Sequence, residues 1–429
     1  MSTTVIIGNG IAGISTAIQL RQLNNDPIIV ISSETQHFFS RTALMYVYMG
    51  QLRYKDTKPY EDSFWEQQDL QLVFDKVLSV DTTSKSLKLE SENVITYDHL
   101  VIACGSKPRR GNWTGDKLKG IQSLYSIQDL DKIEDLTKNI SNAVVVGGGL
   151  IGIELCEMLA SRNIDVDFLI REESFMRGFF NEDESKLIEG HIKKHGINLH
   201  VATEVDSFRG DQKRNLKSIV TNKGSTIPCS FAGVTIGVEP NIGFLMNSKI
   251  ETSKGILVDQ NLQTSISGIY AVGDCCEVRL PEAGRRSIEP VWYTGKLMGE
   301  IVAHNINGTD RKYAPGLWFN SAKFFDLEYQ VYGWIPAKNA DGHDDFLWQD
   351  HNNLQSLRIH YDKNSSAVTG FNFIGIRARH KVCESAIQNN ITVAEFIDHL
   401  NDVIFDPEFS INPTNKIKNH FNNLQLITN

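Results

Sequence analysis

Short apolar runs closed by glycine punctuate this chain. Thr4-Val5-Ile6-Ile7 has the continuous apolar character of a buried strand and runs straight into Gly8-Asn9-Gly10-Ile11-Ala12-Gly13. Ile14 to Leu20 then reads as a helix, Pro27 to Ile31 as a second strand, and Glu34 follows it. The same order returns later. Ala143 to Val146 is a strand, Gly147 to Gly152 a turn, Ile153 to Ser161 a helix and Val166 to Ile170 the next strand. Tyr97 to Cys104 and Gly268 to Ala271 are further buried strands, each entering a glycine turn. Val73 to Val80 and Lys85 to Leu89 read as a small antiparallel piece, and Arg285 to Gly299 as a helix beyond a basic loop. From Pro315 the character changes. Phe319 to Tyr332, Leu354 to Tyr361 and Ala367 to Ile374 read as antiparallel strands, Ala378 to Asn389 and Val393 to Leu400 as helices, and the polar tail from Asp406 as poorly ordered.

Strand, glycine-rich turn, helix, strand and acid, in that order, form a dinucleotide-binding unit. Gly8 makes the tight turn, Gly10 lets a pyrophosphate approach the backbone, and Gly13 lets the helix pack close to the strand. The N–H groups and dipole at the helix start hold the phosphates. Glu34, 21 positions after Gly13, lies where a carboxylate accepts hydrogen bonds from ribose hydroxyls. Arg41 follows closely enough to neutralise the pyrophosphate through a bidentate contact. Two such units in one chain suggest two bound dinucleotides with electrons passing between them. The second unit ends differently. Ile170 occupies the place of the acid, and Arg171 and Arg177 follow. Arginines suit a ribose 2′-phosphate, so NADPH is favoured over NADH, although Glu172 and Glu173 would oppose a phosphate that they faced.

At 429 residues the chain is long enough for two or three domains with full cores. Its net charge of −9 argues against a general nucleic-acid binder. No apolar run reaches transmembrane length, and the start lacks the basic and apolar regions of a signal peptide, so a cytoplasmic location is expected. The six cysteines show neither Cys-x-x-Cys spacing nor a zinc-like cluster, so they are read as reduced thiols and no metal is expected.

These motifs together resemble the pyridine nucleotide–disulfide oxidoreductase superfamily, and most of all its branch of ferredoxin- and rubredoxin-type reductases and NADH oxidases. Ser40-Arg41-Thr42-Ala43-Leu44 resembles the family's Arg-Pro-Pro-Leu segment. Ala103-Cys104-Gly105-Ser106 resembles its Ala-Thr-Gly segment, and Thr264 to Asp274 its second FAD motif. The resemblance implies an α/β fold: two Rossmann-like dinucleotide-binding domains, each a three-layer ββα arrangement, plus a C-terminal α+β domain. It would divide the chain into a discontinuous FAD domain, 1–116 and 247–314, an NAD(P)H domain, 117–246, and a C-terminal interface domain with a polar tail, 315–429. The implied FAD contacts are Gly8, Gly10, Ile11, Ala12, Gly13, Glu34, Arg41, Val77, Ala103, Gly105, Gly273, Asp274 and Val291. The implied NAD(P)H contacts are Gly147, Gly149, Leu150, Ile151, Gly152, Glu154, Arg171 and Arg177, with Glu154 also standing near the nicotinamide and flavin as the candidate catalytic residue.

Two departures from the family pattern matter. Relatives pair the Glu with a Lys five positions after the Arg, and Tyr46 stands there in this chain. Residues 36 to 50 contain no cysteine, whereas disulfide reductases carry two there and oxidase-like relatives one. The implied activity is FAD-dependent NAD(P)H oxidation with electrons passed to a small redox protein such as ferredoxin or rubredoxin. The alternatives are an NAD(P)H oxidase, a quinone reductase, or a slow-turnover flavin-binding redox-signalling protein. A homodimer is among the assemblies compatible with the resemblance.

Overall fold

A computed structural model describes residues 1–282, 284–405 and 411–428. The chain divides into two compact units, one of residues 1–110, 123–138 and 237–315, the other of residues 111–122, 139–236 and 316–429. The first unit takes in 123–138, which the motif-based division placed with the second domain. The physical tie is the helix Ile127–Thr137: the Ile127 N–H donates to Glu34 Oε1, and the Tyr48 hydroxyl lies 2.7 Å from the Thr137 hydroxyl.

The first unit is built on a five-stranded parallel sheet. Its order is Ile269–Ala271, His99–Ile102, Thr4–Ile7, Ile28–Ser32, Leu70–Phe74. Thr4 pairs with Ile28 on one side and with His99 on the other. Strands buried on both faces read as unbroken apolar runs, which is why Val5, Ile6, Leu100 and Val101 are all fully buried. A three-stranded antiparallel sheet, Val77–Asp81, Ser86–Leu89 and Val94–Thr96, supplies the further layer. The single run expected from Val73 to Val80 is thus two strands in two sheets, broken at Asp75-Lys76. Helices Ile11–Leu23 and Trp292–Ile306 lie against each other, and a Cβ at Gly299 would stand 2.3 Å from the Ala12 carbonyl oxygen. The second of these helices starts later than its sequence pattern suggests. Residues 285–291 approach it without helical geometry, and Val291 is its N-cap.

The second unit repeats the parallel core in the order Asn198–His200, Asp165–Leu169, Asn142–Val146, Phe231–Val234, Ile121–Gln122. It adds a small antiparallel sheet, Val205–Gly210, Leu216–Thr221 and Thr226–Pro228. Residues from 316 onward pack into this same unit as a five-stranded antiparallel sheet covered by helices. Phe319 to Tyr332 is a hairpin, Phe319–Phe324 and Leu327–Gly333, and the edge strand His343–Asp350 went unread because charged residues break its alternation. The tail expected to be poorly ordered forms a helix, Thr414–Thr428, that buries Ile417 completely; residues 406–410 lie outside the described ones. Among the described residues no helix is long and apolar enough to cross a membrane.

Candidate functional site: two glycine cradles

The first cradle follows the strand Thr4–Ile7. Gly8 adopts φ +109°, and a Cβ there would stand 2.2 Å from the Ala103 carbonyl oxygen. A Cβ on Gly13 would stand 2.0 Å from the Gly8 oxygen. Both positions require glycine for the protein's own packing. Gly10 is different: a Cβ there meets nothing within 4 Å. It caps the helix Ile11–Leu23 without a side-chain hydrogen bond, so the N–H groups of the first turn have no partner inside the helix. Open space facing unpaired donors fits a diphosphate.

Around this turn the structure gathers residues far apart in sequence. Arg41 makes a bidentate pair with Glu34, Nη1 to Oε1 at 2.9 Å and Nη2 to Oε2 at 2.5 Å. The same guanidinium donates to the Tyr125 carbonyl at 2.7 Å and lies 4.5 Å from the centre of its ring. Arg41 and Glu34 therefore hold each other. Asp274 sits in the tight turn Gly273–Cys275, where Gly273 adopts φ +75°. Burial raises the Asp274 carboxyl, opposed by the Ser106 hydroxyl at 3.3 Å and by Arg41. A buried carboxylate beside a hydroxyl suits a polyol such as the ribityl chain of FAD. Gly105 turns with φ +64°, Ala103 and Val77 are buried, and the Val291 N–H donates to Glu289 O at 2.8 Å. Tyr125 escaped sequence reasoning, since it carries no motif and stands 84 positions from the arginine it supports, and Ser106, although within the Ala103–Ser106 segment, carried no role of its own there.

The second cradle repeats the geometry. Gly147 adopts φ +117°, with Thr235 O 2.4 Å from the place of a Cβ; a Cβ on Gly152 would lie 2.1 Å from Gly147 O; and Gly149 faces open space. Gly149 caps the helix Leu150–Ala160, whose first residues, Leu150 and Ile151, are half-buried. Glu154 stands on the next turn. Burial and then the neighbouring Glu157 push its carboxyl up to about 7. At the end of the adjoining strand Ile170 is fully buried. Arg171 and Arg177 are exposed, and each is paired with an acid, Arg171 with Glu172 at 2.7 Å and Arg177 with Glu173 at 2.5 Å. Cys104 is half-buried and the other five cysteines are buried, none in a disulfide. Burial raises Cys156 and Cys276, and hydrogen bonding to Cys275 raises Cys104, all away from the reactive thiolate.

Two glycine cradles of the same design in one chain are the arrangement expected of the oxidoreductases that bind a flavin and a nicotinamide dinucleotide together. The chain belongs to the pyridine nucleotide-disulphide oxidoreductase family, whose model matches residues 2–294. It is 28% identical over 337 residues to an NADH oxidase of Methanocaldococcus jannaschii, covering 76% of this chain and 74% of the relative. It is 28% identical over 338 residues to the ferredoxin reductase subunit of a 5,5'-dehydrodivanillate O-demethylase of Sphingobium, covering 78% and 82%. Among solved structures, a NAD-dependent persulfide reductase from A. fulgidus superposes with TM-score 0.83 at 23% identity, over 99% of this chain and 83% of that one. The fold expected from the motifs, two Rossmann-like units with a C-terminal α+β part, is the fold observed.

Proposed function

We propose that the first cradle holds FAD, that the second holds NADPH in preference to NADH, and that electrons leave to a small redox protein such as a ferredoxin or rubredoxin. The observation that carries this reading is the pair of open glycines, Gly10 and Gly149, each at a helix start with unpaired N–H groups. We assign 1–116 with 247–314 to FAD and 117–246 to the nicotinamide dinucleotide, with the segment around Tyr125 serving the FAD side.

FAD, when bound, takes two electrons from a nicotinamide and releases them to an acceptor. The chain's own residues position and polarise. Arg41 offsets diphosphate charge, Glu34 accepts from ribose hydroxyls, and Asp274 with Ser106 holds the polyol. Glu154, titrating near neutrality, can donate or accept a hydrogen bond beside the nicotinamide.

Support for NADPH is twofold. Buried Ile170 offers no carboxylate to a ribose 2′-hydroxyl. A fold neighbour at 20% identity, an engineered water-forming NADPH oxidase solved with NADPH, carries two introduced arginines six positions apart, and the first replaces the residue just after a removed aspartate. Arg171 and Arg177 have that spacing, and Ile170 stands just before the first. Their present partners lie at the surface, Glu173 exposed and Glu172 partly so, and surface ion pairs contribute only about 0–1 kcal/mol, so a phosphate can recruit the arginines. Support for a protein acceptor comes from relatives named as ferredoxin reductases and from a fold neighbour solved as a putidaredoxin reductase–putidaredoxin complex. An oxygen acceptor is the second reading, favoured by the relative named an NADH oxidase.

The test is an anaerobic titration of flavin absorbance with NADPH and with NADH, followed by oxidised ferredoxin, rubredoxin or oxygen. NADPH should bleach faster. In Arg171→Ala the NADPH/NADH preference should fall about tenfold, near the low end of a charge-assisted hydrogen bond, because the Glu172 pair must first be broken. An unchanged ratio would exclude the phosphate site. Bleaching without turnover on any acceptor would support the signalling alternative that Tyr46 suggests.

A further inference from the structure

We propose a divalent transition-metal site, of a kind zinc fits, formed by His191, His195 and Asp326 in the second unit. The two histidines lie on the last turn and C-cap of the helix Glu182–Lys194, four residues apart and hence on one face. Asp326 comes from the tight turn between strands Phe319–Phe324 and Leu327–Gly333. Asp326 Oδ1 is 2.7 Å from His191 Nε2 and 3.0 Å from His195 Nε2, and the three ligand atoms all lie within 4.8 Å of one another. Tetrahedral zinc with bonds of about 2.0–2.2 Å holds its ligand atoms roughly 3.3 Å apart, so small side-chain rotations would suffice.

His191 is the observation that points to a ligand. Its side chain is only 7% exposed, and Nε2 aims into the cluster without making a hydrogen bond, despite its short distance to the carboxylate. A buried imidazole nitrogen without a hydrogen bond is costly, and a metal ion would satisfy it.

The turn that carries Asp326 is firmly held. Phe325 adopts φ +51°, a conformation bulky side chains rarely take. It is anchored twice: its ring stacks on His195 at 4.3 Å, and its N–H donates to Glu157 Oε2 at 2.7 Å. Asp326 and Glu157 set negative charge around two imidazoles, against Lys194 and Lys323 nearby. Asp326 and His195 are exposed enough for water to complete the coordination, and imidazole with carboxylate suits zinc and its neighbours in the first row. The site joins the helix Glu182–Lys194 to the hairpin.

The experiment is calorimetric titration of zinc into the chelator-treated, FAD-loaded full chain, alongside His195→Ala and Asp326→Asn. Both substitutions are at accessible positions, and the second keeps the turn's shape. The wild type should take up one zinc per chain. Each variant should bind roughly 100-fold more weakly or worse, above the 10–100-fold that losing an outer-shell partner costs. No stoichiometric binding by the wild type would overturn the site. So would equal binding by the variants, or a loss in only one of them.

Discussion

Glycines of one motif have separable jobs at the level of the single residue. Gly10→Ala places its methyl in open space, so the fold should keep its stability while FAD affinity drops. Gly13→Ala drives a methyl against the Gly8 carbonyl at 2.0 Å, so it should destabilise the unit by at least about 1–3 kcal/mol, the usual cost of overpacking. Urea melts of the apoproteins and FAD titrations distinguish the two; equal loss of stability in both variants would refute the distinction. Glu154 gives a pH prediction. Its folded pKa of about 7 lies above the ordinary 4.5, so ionisation opposes folding. The penalty is absent below about pH 4.5, grows as pH rises toward 7 and is constant above that. Glu154→Gln removes it. Apoprotein melts should show the variant gaining on the wild type from pH 5 to 7, reaching on the order of 1–2 kcal/mol after allowance for solvent, with no further gain at pH 8. A gap of constant size across that range would mean that the carboxyl is not perturbed.

Between elements, buried charge does what apolar packing does elsewhere. The helix Glu182–Lys194 opens with a capping box, in which Asn181 and Glu184 satisfy each other's backbone N–H groups. The same Glu184 meets Arg358, on the strand Gln355–Asp362, at 2.9 Å, and both side chains are fully buried. Arg358 also bonds Asp345 at 3.1 Å, the Pro336 carbonyl at 2.8 Å and the Phe179 carbonyl at 3.2 Å. Arg358→Met leaves Glu184 buried without its cation and should cost about 3–5 kcal/mol. Adding Glu184→Gln should recover part of that, because the stranded charge is then gone. A double-mutant cycle by denaturant melts checks the coupling, and simple additivity would show that the pair is not coupled.

For the whole molecule, the proposed acceptor draws on what the sequence lacks as well as on what the cradles hold. With no cysteine between residues 36 and 50, no thiol from that segment can relay electrons, which favours direct delivery to an outside acceptor. Both cradles, the parallel cores and the family were legible in the sequence, because the glycine spacing marks each strand–turn–helix: Gly13 and Gly152 answer to steric demands inside their own turn, Gly8 and Gly147 to the neighbouring strand. Gly8, Gly13, Gly147 and Gly152 each meet a carbonyl oxygen at their own turn or on a neighbouring strand. Boundaries were less legible. The strand His343–Asp350 pairs with the next strand in a hairpin, Asp350 opposite Gln355, and its charged residues hide it, while the polar helix Thr414–Thr428 is held by partners distant in sequence such as Asp350, 2.7 Å from Lys416. Local sequence determined where the two glycine cradles form, since the spacing of a few adjacent glycines sets the backbone geometry of each turn. Tertiary structure alone decided that Tyr125 supports Arg41, that Arg358 neutralises Glu184, and that Asp326 meets His191 and His195. Those contacts join residues 84, 174 and 135 positions apart, and only the packing of whole elements brings such residues together.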